Sequence, residues 1–141
     1  MGPDQWSLNG IAVDKAEGAV YVVNQQKGLL WRIKIKANGN ADTPQQINLT
    51  AQLKGPDGLR FFGPSLLLVT HNQTGTISSI QVRGNKGIVT KIADGMSGIS
   101  TADVSGNKAW VTETQSGSFW CAPKDCPKPN PSFRIIGVTL Y

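Results

Sequence analysis

Short apolar runs alternate with glycine-containing polar turns along most of the chain, which has 141 residues. The runs AVYVVN, LLLVTH and KAWVTE are rich in branched and aromatic residues, which is a composition typical of β-strands. No stretch repeats its apolar positions convincingly with the period of a helix. Residues 43–55 come nearest to that period, but we interpret the segment QQINLT within them as a strand. The pattern predicts an all-β fold.

The strands recur in three similar copies. Each copy opens on a glycine followed by a branched apolar residue, and it continues with a second strand, a turn that contains another glycine, and a third strand. The opening glycines lie 48 and then 40 residues apart, and the glycines of the three copies are Gly10 and Gly28, Gly58 and Gly75, and Gly98 and Gly117. A repeat of about 40–50 residues built only from strands and turns is typical of a β-propeller blade.

Each predicted blade has four strands. LLWRIKI, TISSIQV and SFWCA are the third strands of the three copies, and QQINLT and GIVTKIAD are the outer strands of the first two. The segment FRIIGVTLY is interpreted as a last strand that helps to close the ring. We therefore predict three four-stranded blades that open near residues 9, 57 and 97, followed by a closing tail over 121–141.

Three blades are too few for a closed ring, because closed propellers have about four to eight. Two apolar blade faces would be left in water. We expect either a missing N-terminal half or a second copy of the chain to cover them. The first residues, MGPDQWS, favour a missing half because they complete no strand set before the first repeat.

The net charge is +5, although only 16% of the residues are charged. Arg32, Lys34 and Lys36 alternate along one strand and therefore share a face. That face is either a small patch that attracts anions or an ordinary solvated surface, and we favour the second interpretation. Nucleic-acid motifs are absent, so we expect no nucleic-acid partner. No apolar run approaches the roughly 20 residues of a membrane span, so we expect no membrane partner.

Two cysteines, Cys121 and Cys126, lie in the segment WCAPKDCPKPNP. A zinc site needs about four ligands, and this pair offers two with no histidine nearby. A redox pair would usually have two residues between the cysteines and a βα pattern beside it. We favour a disulfide that closes a short loop. Such a bond indicates an oxidising compartment, either periplasmic or secreted.

The opening of each copy places a small polar residue before or near the glycine: Asn9, Asp57 and Ser97. In a propeller the inner strands begin near the central channel, so equivalent positions of neighbouring blades converge there. Asn and Asp offer the hard oxygen ligands that a divalent cation such as calcium prefers. The alternative is local, because Asn-Gly and Asp-Gly also form turns in which the side chain bonds to the nearby backbone.

Other candidate residues have structural interpretations. His71 is the sole histidine and corresponds to Asn24 and Glu113 in the other copies. It could contact a substrate at the mouth of the channel, but we favour an ordinary polar turn position. Strand tryptophans are expected to pack in the core or between blades; they are Trp31, Trp110 and Trp120.

Two of the opening motifs, LNGIAVD and GPDGLRF, resemble blade openings of the regucalcin and gluconolactonase (senescence marker protein) family. That family folds as a six-bladed propeller with one divalent metal ion in its channel, so the resemblance implies that this chain is the C-terminal half. Asn9 matches the family's metal-binding Asn in an N-G-L/I motif. Asp57 matches its Asp in a P-D-G-M/L motif, which is both a metal ligand and the general base. The family's remaining Glu and Asn ligands are absent from this chain.

The resemblance implies a metal-dependent lactonase that hydrolyses sugar lactones or related cyclic esters. Its cofactor would be one divalent ion, with calcium favoured over Zn²⁺ or Mn²⁺, held by Asn9 and Asp57. Its ligand would be a small lactone or sugar acid, and this part of the ring alone would be inactive. The alternative is a non-catalytic NHL-like propeller that binds a ligand or protein. GIAVD and GISTAD resemble the G-I/L-x-x-D pattern of such blades.

Overall fold

The structure, a computed structural model, describes residues 8–115, 128 and 132–140. Within these ranges the chain is all-β, and no helix that could cross a membrane is found among them. The strands are β1 (Leu8–Asp14), β2 (Ala19–Asn24), β3 (Leu29–Lys34), β4 (Gln45–Leu49), β5 (Pro56–Gly63), β6 (Leu66–His71), β7 (Thr76–Arg83), β8 (Lys86–Ala93), β9 (Ile99–Ser105), β10 (Lys108–Glu113) and β11 (Arg134–Thr139). The predicted fold class is confirmed.

The first eight strands form two antiparallel meanders, β1–β4 and β5–β8. Their outer strands lie side by side and pair in parallel over a short stretch, where Asn48 faces Lys86 and Leu49 faces Gly87. This pairing joins the meanders into one sheet with β1 and β5 at its two ends. The sheet folds back on itself so that β1 packs against β5. The inner strand of each meander therefore has a backbone edge that no strand of this sheet pairs with.

Strand β6 separates two apolar cores. Leu67 and Val69 belong to the core between the first and second meanders, whereas Leu68 belongs to the core between the second meander and β9–β11. A strand that is buried on both faces reads as a continuous apolar run, which explains the segment LLLVTH. Each such fully buried side chain stabilises the fold by about 1.5–3 kcal/mol. The two cores make the repeats depend on one another for stability.

The second sheet has three strands in the order β9, β10, β11. Its last strand runs antiparallel to β10 and pairs Arg134 with Glu113, as β3 pairs with β2 and β7 with β6. The third-strand position, which we predicted for SFWCA, is therefore filled by part of FRIIGVTLY. That prediction was wrong because both edges of β10 are taken, one by β9 and one by β11. Residues 118–122 lie outside the described ranges.

The opening glycines are needed where neighbouring inner strands meet. A Cβ atom on Gly10 would lie 2.1 Å from the carbonyl oxygen of Asp57, and one on Gly58 would lie 2.8 Å from the Cα atom of Thr101. Neither position has room for a side chain. The glycines thus let β1 approach β5, and β5 approach β9, at close range.

Trp110 was expected in the core or between blades, and it lies in neither core of the described residues. Its side chain is 46% exposed, and the ammonium group of Lys108 lies 5.8 Å from the ring centroid. Trp110 is exposed because it points to the face of β10 opposite Ala109 and Val111, which are buried in the second core. Three residues named in the sequence predictions lie outside the described residues: Trp120, Cys121 and Cys126.

Two of the three clustered cations have acidic partners. The guanidinium of Arg32 is largely buried, lies 3.6 Å from Glu17 and donates a hydrogen bond of 2.5 Å to Gln45. Lys36 lies 3.5 Å from Asp42 in an exposed ion pair. These contacts favour a structural role for the basic face over an anion-binding one.

Candidate functional site

Each inner strand begins with a β-bulge, in which two residues lie opposite one residue of the second strand. The bulge follows from register shifts in the pairing of β1 with β2, β5 with β6 and β9 with β10. The extra residues of a bulge are released from regular pairing and can be re-aimed. The bulged pairs are Asn9 and Gly10, Asp57 and Gly58, and Ser100 and Thr101.

The third opening therefore differs from the predicted one. Ser100, and not Ser97, takes the position of Asn9 and Asp57, and Thr101 takes the position of the glycine. Gly98 misled the alignment because it serves another purpose: its φ of 57° places it in a left-handed turn before β9. Because Thr101 replaces the glycine of the bulge, an alignment of glycines does not find the equivalent position in the third copy.

The three bulges line one open pocket of about 390 Å³. Asn9 and Asp57, the two residues singled out from the sequence, are both in its wall, together with Ser100 from the third copy. Arg60 lies at the same pocket and forms an exposed ion pair of 3.6 Å with Asp103. Exposed ion pairs contribute little to stability, so this pair does not hold the Arg60 side chain firmly in one place.

Among the described residues that line the pocket, Asp57 alone has a carboxylate side chain. Partial burial raises the pKa of its carboxyl above the ordinary value, and hydrogen bonds from the side chains of Asn72 and Asn9 oppose that shift. The amide of Asn72 donates to Oδ2 of Asp57 over 3.3 Å. Both of these partners are neutral. They orient the carboxylate group of Asp57 but do not compensate its negative charge.

An amide residue after the second strand supports the opening residue in two copies. Asn9 donates through Nδ2 to Oε1 of Gln25 over 3.2 Å, and Asn72 donates to Asp57 in the second copy. Gln25 and Asn72 occupy equivalent positions, directly after β2 and β6. Sequence reasoning missed both. The signal was their separation of 16 and 15 residues from the opening residue, which has meaning only once the hairpin register is known.

His71 belongs to a structural series and not to the pocket. It is buried, its Nε2 lies 3.1 Å from Oγ of Ser78, and burial lowers its pKa below the ordinary value. Asn24 and Glu113, its counterparts, are also buried, and each accepts a backbone N–H bond, from Lys27 and Ser97 respectively. The favoured interpretation of His71 as a structural turn residue agrees with these contacts.

The donor chemistry of the pocket fits a hard divalent cation. Asp57 offers a carboxylate and Ser100 a hydroxyl, and Asn9 can offer its amide oxygen because Gln25 engages the amide nitrogen. Calcium prefers such oxygen donors. Among the residues that the structure describes, no three His, Cys, Asp or Glu side chains lie close enough to hold a metal ion together. A cation here would therefore depend on the neutral oxygens.

Comparison with known proteins defines the class of fold. No protein-family model and no curated protein sequence matches the chain. Among solved structures it is similar to the PQQ-bound form of an aldose sugar dehydrogenase from Streptomyces coelicolor, with a TM-score of 0.59 and 13% sequence identity. The match covers 94% of this chain and 42% of that one. The chain has a fold similar to part of a β-propeller, and the likeness extends to the fold alone.

Proposed function

We propose that this chain is part of a β-propeller enzyme that hydrolyses lactones of sugar acids or related cyclic esters with the help of a divalent cation. One observation carries the proposal: the Asp57 carboxylate is half-buried in an open polar pocket where three inner strands begin, with Asn9 beside it. The resemblance of the motifs around Asn9 and Asp57 to lactonase blade openings supports the same pair of residues from the sequence side.

Asp57 is suited to act as the general base. A carboxylate with a raised pKa is a stronger base than an ordinary one, and catalytic bases gain from such tuning. Asp57 would take a proton from a water molecule as the water oxygen bonds to the lactone carbonyl carbon. The ring C–O bond then breaks, and the departing alkoxide takes that proton from Asp57. The products are an open hydroxy acid and the regenerated carboxylate.

A divalent cation in the pocket would be held by one carboxylate and by neutral oxygen atoms. Asn9 and Asp57 would bind the cation, with calcium favoured over Zn²⁺ or Mn²⁺ because the donors are hard oxygens. A divalent cation in such a site polarises a bound carbonyl and lowers the pKa of a bound water. Calcium takes about six to eight ligands, so we expect further ligands from other parts of a complete ring.

Two observations support a sugar lactone as the substrate. Arg60 at the pocket provides a positive charge for the carboxylate that lactone hydrolysis produces. The aldose sugar dehydrogenase of similar fold is named for a sugar substrate, which is consistent with a sugar-derived ligand.

The test is the Asp57→Asn variant in the complete ring, whether the ring is formed by a longer chain or by assembly of this one. The substitution keeps the size and one oxygen ligand but removes the base, so we expect kcat for lactone hydrolysis to fall by about 10²–10⁴ with only a modest loss of calcium affinity. Asp94→Asn is the matched control, because Asp94 is an exposed carboxylate that pairs with Lys91 away from the pocket, and it should retain activity.

Asn9→Ala completes the test. It should weaken calcium binding, and excess calcium should restore part of the lost activity. Wild-type kcat in Asp57→Asn would rule out Asp57 as the base. A complete ring that hydrolyses none of a panel of lactones, yet binds a ligand or protein in this pocket, would instead favour the non-catalytic propeller. The chain of 141 residues alone should bind calcium weakly and show no turnover.

A further inference from the structure

Thr70 connects the two bulges that carry Asp57 and Ser100. It lies on β6, is 1% exposed, and faces the junction between β5 and β9. Its hydroxyl oxygen accepts a hydrogen bond of 2.8 Å from the backbone N–H of Gly58 and donates one of 2.8 Å to the carbonyl of Ser100. One buried hydroxyl thus spans two strands that belong to different sheets.

The other copies lack this connection. Val23 takes the equivalent position in the first copy and is buried in the apolar core without a hydroxyl. Thr112 takes it in the third copy, where its hydroxyl donates over 3.3 Å to Thr101 within its own hairpin. A hydroxyl that crosses between sheets is therefore a feature of the second copy, the one that carries Asp57.

The junction has no room for a side chain at position 58. A Cβ atom on Gly58 would lie 2.9 Å from the Thr70 hydroxyl oxygen and 2.9 Å from the Ser100 carbonyl oxygen. The backbone groups on both sides of Asp57 and Ser100 are released from regular pairing by the bulges. Buried backbone groups need partners, and Thr70 supplies one to the N–H of Gly58 and one to the carbonyl of Ser100.

We infer that Thr70 is a positioning residue for the pocket: its hydroxyl sets the place of the Asp57 carboxylate relative to Ser100. The inference rests on the proposed function for its effect on catalysis, but its effect on the geometry stands separately. Thr70 does not line the pocket and contacts no substrate, so it acts through the backbone of Gly58 and Ser100.

The test compares Thr70→Val, which keeps the shape without the hydroxyl, with Thr70→Ser, which keeps the hydroxyl without the methyl group. Thr112→Val is the matched control, because it removes the equivalent hydroxyl from the third copy. In the chain of 141 residues, Thr70→Val should shift the NMR signals of the Asn72 side-chain amide, which reports on Asp57, and Thr112→Val should leave them in place. This readout needs neither a cation nor activity.

In a complete ring with lactonase activity, Thr70→Val should lower kcat by about 10- to 100-fold through misplacement of Asp57, with KM little changed. Thr70→Ser should restore both kcat and the Asn72 signals. Unshifted Asn72 signals in folded Thr70→Val would overturn the inference, and so would a Thr70→Ser variant with wild-type stability and lost kcat. A wild-type ring without lactonase activity would count against the proposed function only, since the Asn72 signals still test the position of Asp57.

Discussion

At the scale of single residues, one buried position is filled by three different polar side chains. Asn24, His71 and Glu113 end β2, β6 and β10, and all three are buried. A buried polar group is tolerated when it is hydrogen-bonded, and each of these side chains has a hydrogen-bond partner: Lys27, Ser78 and Ser97 respectively. Glu113 alone brings a charge, and Arg134 on β11 compensates it through two bonds of 2.6 and 2.9 Å.

This ion pair predicts a pH dependence of stability. Hydrogen bonds from Arg134 and from the backbone of Ser97 hold the pKa of Glu113 below its usual range. Its stabilising contribution is therefore present above the ordinary Glu pKa and is lost as the pH falls through the lower pKa of the folded state. Glu113→Gln should reduce the free energy of unfolding at neutral pH by about 1–3 kcal/mol, with a difference from wild type that shrinks in acid.

Urea denaturation at neutral and acidic pH measures this difference. Asp42→Asn is the control, because Asp42 also has a lowered pKa but is exposed in its pair with Lys36, where screening leaves little effect on stability. A Glu113→Gln variant as stable as wild type at neutral pH would contradict the structural role of the pair.

The residues of the pocket were predictable only in part. Asn9 and Asp57 stand beside glycines that recur along the sequence, so their convergence could be inferred. Gln25 and Asn72 contact them across a hairpin, and no local pattern marks such residues before the register is known. Ser100 was missed because its neighbour is Thr101 and the nearest glycine, Gly98, serves a turn.

At the scale of strands, the repeat was predictable because turn and strand residues alternate with short, regular spacing. Strands β4 and β8 lie where QQINLT and GIVTKIAD predicted them. The third copy departs from the pattern, because its third strand is β11, which follows β10 only after a long connection. Spacing could not reveal this, since an apolar segment near the expected position resembles a strand whether or not it pairs with β10.

The close approach of inner strands gives a prediction at this scale. Gly58→Ala should destabilise the fold by about 1–3 kcal/mol, because the added methyl group would meet backbone atoms of Ser100 and Thr101 at 2.9 and 2.8 Å. Gly63→Ala is the control on the same strand, where the nearest atom would be a Leu66 side-chain carbon at an ordinary 3.6 Å. Thermal or urea unfolding compares them, and equal stability of the two variants would contradict the packing of β5 against β9.

At the scale of the whole molecule, apolar side chains are exposed on both outer faces of the described structure. On β1, Leu8, Ile11 and Val13 point away from the core that holds Ala12. On the other side, Trp110 and Ile135 are exposed on β10 and β11. Repeats of this kind bury their faces against neighbours, so both faces have the composition of surfaces that another repeat covers.

The chain of 141 residues should therefore self-associate, because contiguous apolar patches drive association. Sedimentation velocity should show a weight-average mass that rises with concentration. The pair of substitutions Ile11→Thr and Ile135→Thr keeps strand-forming residues on both faces and should shift the chain toward monomer. Ile88→Thr is the matched control, since Ile88 is also exposed but lies on the outer strand β8, and it should associate like wild type. A wild-type chain that sediments as a stable monomer at all concentrations would contradict the expectation that these faces pair with further repeats.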